Sequence, residues 1–248
     1  MIKKIRISAI SYLNSLPFVY GIKNSGFLTD YQMDLDAPAV CAQKLITDSV
    51  DIGLVPVAVL PELKNYNLLT NYCIGACGAV RTVLLVSRKP VNEIKTIYLD
   101  FESRTSVKLV RVLSDHFWKI HPEWLPANPE IFSNIKNIEA TVIIGDKTFE
   151  MRNYFPFVYD LAEEWKKFTG LPFVFACWTA NKAISQEFLT KFNQATEWGV
   201  NNISEVVENT DYCIPKGVNL LNYLQNDINY PFDEQKKKAL ALFLKYIA

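Results

Sequence analysis

At 248 residues the chain is long for one small core and suits two compact lobes. Half of it is hydrophobic and 13% is aromatic, which excludes wholesale disorder, while 26 Lys and Arg balance 26 Asp and Glu. Zero net charge leaves no electrostatic footprint for nucleic acid or for an anionic membrane. Cations that hold an anionic ligand must therefore be local.

The amino terminus, MIKKIRISAIS, carries lysines but no apolar stretch with a small-residue cleavage site behind them. No apolar run is long enough to span a bilayer. Cys41, Cys73, Cys77, Cys177 and Cys213 form an odd set, without zinc spacing and without a C-x-x-C pair. They are expected to be small hydrophobes in a reducing compartment, which makes the cytoplasm the expected location.

In chain order, Ile5, Ile7 and Ala9 alternate with Lys4, Arg6 and Ser8, the period of a strand with one buried face. SYLNSLPF follows, with Pro17 suited to the first turn of a helix and Asn14 or Ser15 suited to cap it. Pro38 to Asp48 reads as a helix, and Val50 to Val55 as a short buried strand that stops at Pro56. Cys73 to Gly78 and Arg81 to Ser87 read as extended segments. Arg88-Lys89-Pro90-Val91-Asn92 interrupts the pattern, and Thr96 to Asp100 opens a new unit as a strand. Ser103-Arg104-Thr105-Ser106 leads into a helix with Val107, Val110, Leu113 and Phe117 at helical spacing. Ala140 to Ile144 is a further apolar strand ending in Gly145-Asp146. Ala162 to Phe168 has helical character up to Gly170, a C-cap, and Pro172 to Ala176 returns to strand; from Ser185 the pattern is helical. The alternation predicts an α/β protein of two lobes joined by two crossing strands, with the ligand cleft between them. Residues 1–87 with 179–248 are expected in one lobe and 88–178 in the other.

In open α/β lobes ligands gather where strand ends meet helix starts, and four loops have that position. Ser11-Tyr12-Leu13-Asn14-Ser15 offers backbone N–H groups and the Asn14 amide, a neutral set for a carboxylate or hydroxyl; Asn14 and Ser15 also read as plain caps. Ser103-Arg104-Thr105-Ser106 is a second donor-rich helix start, where the dipole favours an anion and Arg104 can add a charge-assisted bond or sit solvated. In Gly78-Ala79-Val80-Arg81-Thr82 the glycine allows close approach of backbone and ligand, and Arg81 reads equally as an edge-strand charge. Gly145-Asp146 places a carboxylate after a buried strand, as a hydroxyl ligand, a base or a cap. Dinucleotide, phosphate-loop and hydrolase-elbow motifs are absent, and His116 and His121 have no metal-spaced partners.

SYLNSLP, DIGLVP, VRTVLL, SRTS, IGD and WKKFTGLPFVFA run in order over most of the chain, and with them the sequence resembles the chorismate dehydratase family of the futalosine route to menaquinone. Cys77 and Ala79 depart from the residues commoner in that family, and the Pro-Cys-Asn-Asp-Thr loop of the sister enzyme is missing. The resemblance implies a type II periplasmic-binding-protein-like fold. It also implies loss of water from chorismate to give 3-[(1-carboxyvinyl)oxy]benzoate without cofactor or metal. By the same resemblance Asn14 orients the substrate and stabilises charge, while Ser103, Thr105 and Ser106, with Arg104, hold a carboxylate. Ser11, Ser15, Gly78, Val80, Arg81 and Gly145 are the remaining expected contacts. Asp146 or the substrate's own enolpyruvyl carboxylate takes the proton. The rival readings are a transporter's solute-binding component, which needs an export or lipid signal, and an effector-sensing domain, which needs a DNA-binding helix pair. Neither feature is read here, and a small-carboxylate binder without catalysis is the alternative that stays open.

Overall fold

Apolar alternation places β1 (Ile5–Ile10) within a sheet, parallel to β2 (Tyr31–Asp36) on one side and β3 (Ile52–Pro56) on the other. The chain then forms β4 (Asn67–Ala76), β5 (Val83–Ser87), β6 (Thr96–Leu99), β7 (Glu123–Pro126), β8 (Ala140–Ile144), β9 (Phe157–Asp160) and β10 (Phe173–Ala180). The computed structural model describes residues 4–248 and groups these strands into two five-stranded sheets, β2-β1-β3-β10-β4 and β7-β6-β8-β5-β9. Both are mixed, and β3, β5, β8 and β10 are buried along their whole length. That is why these four read as apolar runs. β1, expected with one buried face, is buried on both from Ile7 to Ile10, and Ser8 is accommodated by donating its hydroxyl to Asp36 at 2.7 Å.

The sheets exchange chain at two crossings, and here the expected lobe boundaries are corrected. Val83–Ser87 was expected with the first lobe, yet β5 pairs antiparallel with β8 and β9 in the second sheet. Phe173 to Trp178 was expected in the second lobe, yet β10 pairs antiparallel with β3 and β4 in the first. A strand buried on both faces looks the same in either sheet, because only its hydrogen-bond partners assign it. The crossings are residues 77–82 and 170–172, just outside these strands. Gly170 closes the helix Leu161–Thr169 with a φ of 74°, its N–H on the Lys166 carbonyl at 2.8 Å. At the other crossing Asp160 accepts the N–H groups of Val80 (2.9 Å) and Arg81 (2.6 Å) and also caps the helix Leu161–Thr169.

Behind the cleft, Asp51 ties β1 to the start of β3. It accepts the Arg6 backbone N–H at 2.8 Å and its guanidinium at 2.9 and 3.1 Å, and Lys182 adds a fourth contact at 3.1 Å. The Arg6 guanidinium holds the Asp51 carboxyl well below the usual carboxylate range. One hydrophobic cluster runs through both lobes, and a smaller one of Leu84, Val86, Ile135, Ile138, Ile143 and Phe155 lies on the other face of the second sheet. No helix among the described residues is long and apolar enough to cross a membrane.

Candidate active site

A cleft of about 480 Å³, open mouth included, lies between the sheets where the loops leave β1 and β8 and the helix Thr105–Leu113 begins. Ile10, Pro38, Pro56, Ile74, Val83 and Phe175 make most of the wall apolar. The polar groups are all neutral: Tyr12 and Asn14 from the first lobe, Ser103, Thr105 and Ser106 from the second, and Thr82 from the crossing between them.

Asn14 arrives on a single 3-10 turn, Leu13–Ser15, that runs directly into the helix Leu16–Asn24 with Pro17 in its first turn. Ser15 builds this turn. Its buried hydroxyl donates to the Tyr12 carbonyl at 2.8 Å and to that of Ile10, so it serves the backbone rather than the cleft. From the carboxyl-terminal segment, Tyr230 donates its hydroxyl to the Asn14 carbonyl at 3.0 Å. The Asn14 side chain has no such partner: Oδ1 is buried and unpaired among the described residues. An orphaned buried amide oxygen costs about 1–3 kcal/mol, and a ligand hydroxyl would satisfy it.

Across the cleft, Ser103 accepts the Ser106 N–H at 3.0 Å, which closes the first turn of the helix Thr105–Leu113. Thr105 donates to the Phe175 carbonyl at 3.0 Å and accepts the Ala58 N–H at 3.3 Å, pinning this helix start to the first lobe. The helix Thr105–Leu113 turns the positive end of its dipole, where an anion is favoured, toward this side of the cleft. Val80 and Gly145 complete the lining among the expected residues.

The structure does not bring the other expected contacts into the cleft. Arg104 is exposed and outside the lining. Arg81 turns away at a φ of 64° and pairs with Asp227 at 3.1 Å in a neighbouring notch. Gly78 is outside the lining, and a Cβ built on it would meet nothing within 4 Å, so no close approach requires glycine there. Ser11 places its N–H on the Asp36 carbonyl at 2.9 Å and faces Tyr212 with its hydroxyl.

Asp146 follows the lining residue Gly145 but is not itself in the lining, and both its carboxylate oxygens stand 3.2 Å from the Leu13 N–H. Burial pushes its carboxyl up to about 6, and the Leu13 N–H only partly offsets that. A folded-state value above the ordinary 3.8 means that the ionised carboxylate costs stability above pH 6, and that the cost vanishes below pH 4. Asp146→Asn is therefore expected to stabilise the fold by about 1–2 kcal/mol at pH 7.5, after allowance for partial exposure, and by nothing at pH 4. Urea unfolding at the two pH values measures this, and an equal gain at both would refute the assignment.

Two polar lining residues were not singled out from sequence. Thr82 shares a 2.7 Å hydrogen bond with the buried Tyr223, a partner 141 positions away that no local pattern indicates. Tyr12 lay inside the SYLNSLP block but carried no acid, base or cap signature.

Against this geometry, the protein family described as menaquinone biosynthesis matches residues 5–248. The chain belongs to the menaquinone biosynthesis family. As a member of that family it is similar to the chorismate dehydratase of Campylobacter jejuni subsp. jejuni serotype O:23/36 (strain 81-176), at 24% identity over 246 residues, 95% of this chain and 94% of that one. Its structure is similar to protein AF1704 from Archaeoglobus fulgidus, with a TM-score of 0.75, 14% identity and coverage of 98% and 96%. It is also similar to the CA3427 product of Candida albicans, described as having the generic periplasmic binding protein fold, with a TM-score of 0.63, 12% identity and coverage of 98% and 90%. At such identities the structures speak for the fold alone. That fold is the two-lobed one that the resemblance implied.

Proposed function

We propose that this member of the menaquinone biosynthesis family is a chorismate dehydratase, a hydro-lyase that eliminates water from chorismate to give 3-[(1-carboxyvinyl)oxy]benzoate on the futalosine route. The observation that carries the reading is the shared cleft: Asn14 from one lobe and the Ser103–Ser106 helix start from the other line it together. Chorismate is a ring acid with two carboxylates and a C4 hydroxyl. The helix start suits one carboxylate, and the unpaired Asn14 Oδ1 suits the hydroxyl.

The elimination is redox-neutral and ends in an aromatic ring, so it calls for no redox carrier and no metal. The C3–H electron pair becomes a ring double bond as the C4–O bond breaks, and the C3 proton leaves with the C4 hydroxide as one water. Asn14 is too weakly basic to take that proton, and Asp146 spends its carboxylate on Leu13, outside the cleft lining. The acceptor in this reading is the enolpyruvyl carboxylate, which hangs beside C3 and can pass the proton to the departing oxygen. The protein then supplies orientation, an apolar surround and fixed dipoles. The free cysteines, three of them buried, suit the reducing cytoplasm as the place of action.

Purified protein mixed with chorismate is expected to consume it and release the aromatic ether in equimolar amount, as followed by liquid chromatography. Chorismate bound but unchanged would instead favour a non-catalytic carboxylate binder of this fold.

A further inference from the structure

Tyr12 leaves the first lobe and touches the second with the far end of its ring and with its hydroxyl. Its ring lies flat against Gly145, where a Cβ would stand 2.8 Å from Cε2 and Cζ and 3.0 Å from Cε1. Gly145 has a φ of 71°, so glycine is required there both for the backbone and for the seat of the ring. The Tyr12 hydroxyl donates to Glu102 at 3.2 Å. Glu102 is fixed in turn by Lys147 at 2.7 Å, which also pairs with buried Asp100 at 2.8 Å and lies 4.3 Å over the Phe132 ring. Burial, then the charges of Glu102, Asp100 and Asp146, push the Tyr12 phenol far up, which keeps it a donor. The next residue, Leu13, gives its N–H to Asp146, and the one after that is Asn14. Of three consecutive residues, Tyr12 and Leu13 thus grip the opposite lobe and Asn14 lines the cleft.

Thr105 also joins the lobes, to the Phe175 carbonyl just past the crossing at 170–172 at 3.0 Å and to the Ala58 N–H at 3.3 Å. The Tyr12 contacts lie among the cleft loops, on Glu102 before the helix Thr105–Leu113 and on Gly145 after β8. Gly145 in turn gives its N–H to the Thr82 carbonyl of the other crossing at 2.9 Å. From this placement we propose that Tyr12 is a positioning residue: its ring must seat on Gly145 for the lobes to shut, and seating it brings Asn14 to the ligand. The link to turnover rests on the dehydratase reading; the link to closure does not.

The test compares wild type with Tyr12→Phe, Tyr12→Ala and Gly145→Ala by two readouts. Hydrogen exchange at the Leu13 amide reports closure without any ligand, and both Tyr12→Ala and Gly145→Ala are expected to speed it by about tenfold or more while the β1 amides stay protected. With chorismate, kcat is expected to fall about 100-fold in Tyr12→Ala and Gly145→Ala and about 10-fold in Tyr12→Phe, with KM within about 3-fold, as misplacement of a reacting group requires. Tyr12→Phe keeps the ring and should melt as wild type does, so it decides the matter if Gly145→Ala fails to fold. Unchanged Leu13 exchange in Tyr12→Ala, or unchanged kcat beside altered exchange, overturns the proposal. Should wild type leave chorismate untouched, the dehydratase reading falls, and the exchange comparison still decides whether the seating of Tyr12 on Gly145 shuts the lobes.

Discussion

Asn14→Ala is expected to lower kcat for chorismate dehydration by a factor of about 100 to 1,000, the range for removing one fixed dipole from a charge-stabilising site. The same substitution should leave the fold intact or slightly firmer. The loop is held through the Asn14 backbone carbonyl, which Tyr230 grips at 3.0 Å, whereas the side-chain Oδ1 is buried without a partner. Removing an unsatisfied acceptor relieves a desolvation cost instead of breaking a bond. Large loss of activity with an unchanged melting temperature is therefore the signature of a group kept for the ligand. Asn14→Asp should fare no better, since it sets a carboxylate beside a dianion in a cleft whose lining has no cation. Steady-state kinetics of both variants alongside their thermal melts give the answer, and turnover within a few-fold of wild type in Asn14→Ala would remove Asn14 from the chemistry.

The sequence made some of this arrangement readable. β1, β3, β6, β8 and β10 announce themselves because burial on one or both faces leaves an apolar imprint. β2 and β7 leave none: each is an edge strand with no fully buried residue, and Gln32, Asp34 and Pro126 read as loop. The Ser103 loop was legible from its serine-rich helix start, where the Ser103 hydroxyl takes the Ser106 N–H. The Asn14 loop was legible from Pro17, although neither Asn14 nor Ser15 caps the helix Leu16–Asn24 with its side chain as expected. The direction of a long side chain follows a different rule. Arg81 leaves the cleft because its backbone takes a φ of 64° and Asp227 waits on the other side. Arg104 sits one position from residues that face inward and still points to water. In a helix start one residue's shift turns a side chain by about 100°, so a motif names the turn but not which members face the ligand.

Gly199→Ala carries the largest expected change in stability. The helix Leu16–Asn24 crosses the helix Gln186–Asn201 with Gly21 and Gly199 at the contact. A Cβ on Gly199 would overlap the Pro17 carbonyl oxygen and stand 2.7 Å from its carbon and 3.1 Å from the Gly21 nitrogen. Helix propensity alone favours alanine over glycine by about 1 kcal/mol. Overlap with backbone outweighs that gain, because a carbonyl cannot rotate away as a side chain can. Overpacking against rigid neighbours costs up to about 3 kcal/mol or more, so the net expectation is a loss of roughly 2–3 kcal/mol. In a chain of this size that lowers the melting temperature by about 5–10 °C. Gly78→Ala is the control, with open space around its Cβ and an expected change within about 0.5 kcal/mol. The consequence reaches the cleft as well. Pro17 stands three residues from Asn14 on the same rigid turn, so helices pushed apart at Gly199 move the amide away from its ligand. Among molecules that remain folded, Gly199→Ala should show a lower kcat at near-normal KM, and a variant that loses stability while keeping full turnover would mean that the helix pair and the Asn14 loop move independently.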